Sequence, residues 1–164
     1  MNFQIGEKVV HSSFGFAEIV GIENKFLSGK KRQYYVVKTK DLLIWVPTSD
    51  NPSIKIRLPS SKKDFRSCFD ILRSTYSPFS TDRNIRKKTI QYKFNSGEIT
   101  SLCEIIRDLS FYKVNKKIND SEKIILEKAI LVLLDEWGFV FGITSSDARS
   151  ELTKLLNESY AVSL

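Results

Sequence analysis

The spacing of hydrophobic residues along the chain changes near residue 59. Before that point, short runs of alternating apolar and polar residues are separated by turns. Alternation with a period of two is typical of half-buried β-strands. The runs occupy residues 8–11, 16–22, 33–38, 42–47 and 54–57. Five short strands joined by tight turns predict a small barrel of the SH3 or Tudor type.

After residue 59 the apolar residues recur about every 3.6 positions, which predicts helices. A first helix begins near Ser61, and a second runs from Thr81 or Asp82 to about Phe94. A third carries the apolar positions from Leu102 to Leu109. Two more begin at the capping sequences Asn119–Glu122 and Thr144–Asp147. Each helix has a single apolar stripe, so the five must pack together into a bundle.

The predicted fold class is therefore β + α in separate modules. Residues 1–58 form a five-stranded small barrel, and residues 59–164 form a compact bundle of about five helices. The second helix ends at Asn95–Gly97, because glycine tolerates the left-handed cap conformation. For the fourth helix, Gly138 and Gly142 are both candidate ends.

Side-chain alternation also predicts which residues face outward. In the fourth strand, Leu42, Ile44 and Val46 would fill the barrel, leaving Leu43 and Trp45 on its outer surface. An outward tryptophan beside an apolar neighbour is a usual interface anchor. The alternative is that the helical part covers this face.

The second helix is expected to turn one apolar stripe inward, with cations on its other side. The inward stripe would consist of Ile85, Thr89 and Tyr92. The cations that then point away are Arg83, Arg86, Lys87 and Lys88.

The net charge of +7 favours a polyanionic partner. The distribution of the cations indicates where such a partner would bind. The 83–93 stretch carries five cations and no acid: Arg83, Arg86, Lys87, Lys88 and Lys93. A helix N-terminus suits phosphates because its free amides and dipole assist such side chains. The alternative is an ordinary solvated helix face. The chain has no Asn/Gln-rich recognition surface, so we expect little base specificity.

The chain offers little catalytic or metal-binding chemistry. Its one histidine, His11, has no nearby cysteine or paired acid, and Cys68 and Cys103 lie on apolar helix faces. The sequence lacks the spacing of a zinc site, an EF-hand or a P-loop. We therefore expect a binding protein, not an enzyme, without metal or cofactor. The absence of an apolar signal segment and the two isolated cysteines predict a cytoplasmic protein. The expected DNA partner would make it nucleoid-associated.

Several ordered motifs resemble the CarD/CdnL family of bacterial transcription regulators, whose N-terminal module is shared with the transcription-repair coupling factor. The first motif is Phe3-x-Ile5-Gly6-Glu7-Lys8-Val9-Val10-His11, followed by Phe14-Gly15-Phe16-Ala17-Glu18-Ile19. Tyr34–Val37, Val46-Pro47, Ser96-Gly97-Glu98, Glu104–Leu109 and Ser121–Lys123 continue the resemblance. The coupling factor itself is excluded, because the chain is too short for helicase motors.

The resemblance implies a Tudor-like domain that binds the RNA polymerase β subunit and a helical domain that contacts promoter DNA. Lys25 matches a basic polymerase-contacting position, Leu27 lies in the same contact region, and Trp45 stands where relatives can carry a basic residue.

On the DNA-facing surface, Arg86, Lys88 and Lys123 match basic positions of the family. Relatives often place a tryptophan wedge at the position of Arg83. The resemblance thus implies a regulator that stabilises the open promoter complex, with Arg86, Lys88 and Lys123 on DNA. The basic 83–93 stretch adds Arg83 and Lys87 to the expected DNA contacts. We expect a monomer, because no predicted helix is apolar all round. The alternative is a stand-alone architectural or regulatory DNA-binding protein that does not need polymerase.

Overall fold

An antiparallel sheet forms the N-terminal part of the molecule. The computed structural model describes residues 2–27, 29–49, 56–115 and 117–163. Its strands are β1 (Lys8–His11), β2 (Gly15–Leu27), β3 (Lys30–Lys38), β4 (Leu43–Pro47) and β5 (Ile56–Arg57). They lie in the order β4-β3-β2-β1-β5. Across the described residues, the strands form one sheet whose edge strands β4 and β5 do not pair with each other.

Five helices follow the sheet: α1 (Lys62–Arg73), α2 (Arg83–Ser96), α3 (Ile99–Asn115), α4 (Asp120–Phe141) and α5 (Ser145–Val162). The predicted fold class is confirmed. The local start signals also act as predicted, since Ser61, Asn119 and Thr144 each cap a helix with a side-chain oxygen. Such caps satisfy amide groups that have no partner within the helix.

Two hydrophobic cores meet at strand β1. Val9 packs inside the sheet with Ile19 and Val37. The adjacent Val10 points to the opposite side and packs in the helical core, which is centred on fully buried side chains such as Leu109. The division into domains 1–58 and 59–164 stays a prediction, because the second core draws on residues of both parts.

A buried ion pair joins the sheet to the helices. Arg57, the last residue of β5, makes two hydrogen bonds of 2.7 Å to the carboxylate of Glu136 on α4. Glu136 is completely buried and also accepts a hydrogen bond of 2.7 Å from the Ser60 amide. A second contact between the sheet and α4 is the stack of the Phe16 and Phe139 rings, whose centroids are 4.2 Å apart. These contacts connect the two parts of the chain.

Several sequence-based details are corrected by the structure. Leu42 lies outside β4 and is 51% exposed, so it does not fill the sheet interior as predicted, although Val46 does. Strand β2 continues past Ile22 to Leu27, because residues 23–27 pair with β3. Helix α4 passes through Gly138 and ends at Gly142, whose φ of 66° is left-handed. Strand β5 is described from Ile56 onward; positions 54–55 of the predicted strand lie outside the described residues.

The inward stripe predicted for α2 is wrong. Ile85 and Tyr92 are 54% and 78% exposed, whereas Ile90 and Phe94 face the core. Four apolar residues are spread around this helix, so its sequence supports more than one inward face. Contacts with α3 select the face that contains Ile90 and Phe94.

Candidate functional site

One surface cluster lies on the outer face of the sheet. The Nζ of Lys25 lies 3.5 Å from the ring centroid of Trp45. The indole Nε1 of Trp45 donates a hydrogen bond of 2.8 Å to the carboxylate of Glu23. Trp45 is 40% exposed, which confirms that it points outward. The half-buried cation and the exposed ring therefore form one surface unit, held by a cation–π contact.

Strand β4 gives this cluster an apolar border and a free edge. Leu43 is 53% exposed, as the alternation predicts. In the described part of the chain, β4 pairs with β3 alone, so its other side can accept a further strand. Leu27 lies in the last paired row of β2 and β3, opposite Lys30. Backbone pairing thus places Leu27 and Lys25 on the same strand.

A second surface lies on α2. Asp82 caps this helix by accepting hydrogen bonds from the amides of Asn84 and Ile85. Arg83, Lys87 and Lys88 are exposed, and no ion pair of theirs is found among the described residues. The helix contains no acidic residue, so every charged side chain on its solvent face is positive.

Arg86 points inward from the same helix. Its guanidinium makes hydrogen bonds of 2.6 and 2.9 Å to both carboxylate oxygens of Glu122. It also lies 4.7 Å from the ring centroid of Tyr112 and 5.1 Å from that of Phe79. These contacts join the first turn of α2 to the first turn of α4. The DNA contact predicted for Arg86 stays a prediction, and its guanidinium is already engaged.

Lys123 is exposed and pairs with its neighbour Asp120 at 2.8 Å. The hydrogen bond with Asp120 raises the pKa of Lys123. Exposed pairs of this kind contribute little free energy, so a phosphate could displace the carboxylate. Lys93, the last cation of the 83–93 stretch, pairs with Glu104 at 2.8 Å and is set apart from the free cations.

A cleft of about 850 Å³ separates the first turns of α2 and α4. Arg83, Lys87 and Lys117 line it together, although Lys117 is 30 or more positions from the other two in sequence. The tertiary structure therefore adds a cation to the positive surface of α2. Cations outnumber carboxylates in the lining of this cleft, which favours an anionic occupant.

Sequence analysis missed Ile85 and Tyr92 as surface residues. Both lie on the exposed face of α2 together with Lys88. One signal in the sequence could have indicated this: the apolar residues of α2 do not fall on one stripe, so some of them must face solvent.

The described residues hold no group of three or more His, Cys, Asp or Glu side chains that could bind a metal ion. Burial lowers the pKa of His11, whose Nδ1 accepts a hydrogen bond from the Ser13 amide. Cys68 and Cys103 are free and buried; hydrogen bonding to Cys68, followed by burial, raises the pKa of the Cys103 thiol well above its usual value. A thiol in this state is a poor nucleophile. Within the part of the chain that the structure describes, no helix is long and apolar enough to cross a membrane.

Comparison with known proteins agrees with this architecture. The family model of the CarD C-terminal domain matches residues 67–153, and that of the CarD-like/TRCF RID domain matches residues 3–57. The chain belongs to the CarD family. The RID domain is Tudor-like and belongs to a class of RNA polymerase-interacting domains. A CarD-like relative, "Putative transcription factor YdeB" of Bacillus subtilis (strain 168), is 31% identical over 150 residues, which cover 90% of this chain and 98% of that protein.

Proposed function

We propose that this chain regulates transcription by binding the RNA polymerase β subunit through its sheet and promoter DNA through its helices. The DNA contact is largely independent of the base sequence. The polymerase and DNA contacts together stabilise the open promoter complex at the nucleoid. The observation that carries the proposal is that the sheet and the helices each present an exposed cationic surface, while a buried ion pair joins them.

Lys25 and Trp45 form the polymerase-binding surface in this proposal, together with Leu27, two residues further along β2. The indole of Trp45 supplies apolar area, and Lys25 supplies a positive charge beside it. Tryptophan is among the residues that most often dominate protein interfaces. The free edge of β4 allows the partner to add a strand beside Trp45 through backbone hydrogen bonds.

Arg83, Lys87 and Lys88 contact the DNA backbone in this proposal. Their side chains are exposed, and the N-terminus of α2 adds a favourable dipole for phosphates. Arg86 acts chiefly as a positioning residue, because releasing its guanidinium from Glu122 would leave that buried carboxylate unpaired. Lys123 contributes once its exposed pair with Asp120 is broken.

Two contacts joined in one rigid molecule bind more tightly than either contact alone. Once the sheet is bound to polymerase, the helical surface is held at a high effective concentration near the promoter. The link from Arg57 to Glu136 keeps the two surfaces at a set spacing. Each contact can therefore be weak by itself.

The test is footprinting of a polymerase–promoter complex with and without the full chain, combined with capture of the β subunit. We expect the chain to extend protection near the opened region and to lengthen the lifetime of the open complex. Lys25→Glu should lower β-subunit capture, whereas Lys128→Glu, an exposed charge reversal on α4, should not. DNA binding without any capture of polymerase would overturn the proposal in favour of a stand-alone DNA-binding protein.

A further inference from the structure

The cleft between α2 and α4 is lined by cations from both of its sides. Arg83 and Lys87 are four residues apart, so they lie on the same face of α2 and line the cleft from that side. Lys117 lines it from the connection between α3 and α4. The hydrogen bonds from Arg86 to Glu122 join the two sides. This largely buried ion pair therefore fixes the spacing of α2 and α4 at the cleft.

The charges that remain available in this cleft are positive. Its two carboxylates already have partners, since Glu122 pairs with Arg86 and Asp120 pairs with Lys123. Three exposed cations of the lining have no ion pair among the described residues: Arg83, Lys87 and Lys117. An anion that enters the cleft thus meets three cations without displacing an acidic side chain.

Positive charge also continues beyond the cleft. Lys88 is exposed on α2, but it lies about 100° around the helix from Lys87 and does not line the cleft. Lys123 is exposed on α4 and is likewise outside the lining. A small anion would use the cations of the cleft alone. A polymer with repeated phosphates also uses the cations outside it, so this arrangement favours a nucleic acid over a small phosphorylated ligand.

We propose that this cleft holds the sugar–phosphate backbone of one strand of the DNA duplex, and that Lys117 is a DNA contact. This contact rests on the proposed function, whose DNA-binding surface it specifies. Lys87 and Lys117 bind phosphates of the strand from opposite sides. A cleft of about 850 Å³ has the size of a small-ligand site, so it accommodates a short stretch of one backbone while the rest of the duplex stays outside. Contacts of this kind position a protein on DNA without reading its bases.

An acidic protein segment is the competing occupant of the cleft. Such a segment fits less well, because lysine is depleted in protein–protein interfaces relative to the rest of the surface. The lining also contains the uncharged polar residues Asn84 and Gln91 on the α2 side. Asparagine and glutamine are among the side chains that commonly contact phosphate and sugar oxygens in protein–DNA complexes.

The first test measures the affinity of the full chain for a short DNA duplex by fluorescence anisotropy, between about 50 and 200 mM salt. Lys117→Gln should lower the salt slope by about 0.9, the value for one phosphate contact. Between those salt concentrations its affinity then falls about 3.5-fold less than that of the parent. The matched control is Lys128→Gln, which replaces an exposed lysine of α4 outside the cleft and should keep the slope of the parent.

The second test introduces a negative charge into the cleft. Ser121 and Ser146 are both exposed, and each is the second residue of its helix, in α4 and α5 respectively. A glutamate near a helix N-terminus is favourable for the helix, so Ser121→Glu and Ser146→Glu should both keep the circular dichroism spectrum and melting temperature of the parent. Of the two serines, Ser121 lines the cleft. Ser121→Glu should therefore weaken duplex binding by about five-fold, the repulsion of unit charges ~4 Å apart in water, whereas Ser146→Glu should not.

Equal salt slopes for Lys117→Gln and Lys128→Gln would overturn the cleft as a DNA contact, and so would equal duplex affinities for the two glutamate variants. If Lys87→Gln/Lys88→Gln still lowered the slope in that case, the proposed function would stand, with DNA on the outer face of α2. Binding of inorganic pyrophosphate that requires Lys117, with unchanged duplex binding, would assign the cleft to a small phosphorylated ligand instead. If the parent bound no duplex at about 50 mM salt, the cleft contact and the DNA contact of the proposed function would both be wrong.

Discussion

Replacement of Arg57 by methionine tests the link between the sheet and the helices. The guanidinium makes both hydrogen bonds to Glu136 and a further one of 2.7 Å to the carbonyl oxygen of Gly97. Among the residues that the structure describes, the Glu136 carboxylate then keeps the Ser60 amide as its one donor in Arg57→Met. Removing one partner of a buried ion pair costs about 3–5 kcal/mol, because the other charge remains buried.

The expected loss lies near 3 kcal/mol, since 25% of the Arg57 side chain is exposed and water can reach the site. For a chain of this size, that loss lowers the melting temperature by about 6–12 °C. Urea denaturation followed by circular dichroism gives the free energy of unfolding by linear extrapolation.

The matched control is the double variant Arg57→Met/Glu136→Met. It removes both charges, so it should be more stable than Arg57→Met alone. If Arg57→Met unfolds within about 1 kcal/mol of the parent, the ion pair contributes little and the reasoning is wrong. A double variant no more stable than the single one would show that packing, not the unpaired charge, causes the loss.

Two further predictions concern local features. Asp82→Ala removes the cap of α2 and should lower the free energy of unfolding by about 1 kcal/mol, measured by urea denaturation; an unchanged value would contradict the capping geometry. Burial raises the pKa of Asp135 above its usual 3.8, because the folded protein solvates the charged carboxylate less well than water does. Asp135→Asn should therefore stabilise the fold at pH 7, with a gain that shrinks as the pH falls through the pKa and the native carboxyl takes up its proton. If the stability gain of Asp135→Asn instead grew as the pH fell, the pKa of Asp135 would not be raised in the folded state.

Much of the fold follows from short-range sequence signals. Asn119 and Glu122 are three residues apart, the spacing at which each side chain reaches the other residue's amide, and the capping box forms at that place. Gly97 ends α2 in the left-handed conformation that the sequence predicts. Trp45 points outward because side chains alternate along β4. Each feature depends on residues that are close in sequence.

The binding surfaces are less predictable, because they depend on contacts between distant segments. The sequence places Arg86 among the outward cations of α2. Glu122 lies 36 residues away, and it draws the guanidinium inward when α4 packs beside α2. The predicted second strand ended at Ile22, whereas β2 continues to Leu27, because this extension depends on pairing with β3 and not on apolar alternation within β2.

The amino-acid sequence by itself determined the order of strands and helices, the helix caps, the excess of positive charge and the resemblance to the CarD family. These properties depend on residue spacing and composition, which need no knowledge of three-dimensional contacts. Only the tertiary structure decided which face of α2 meets solvent, which cations remain free and how the sheet joins the helices. The physical reason is that a helix with scattered apolar residues, or a charge with several possible partners, adopts the arrangement that buries the most apolar surface without leaving a buried charge unpaired.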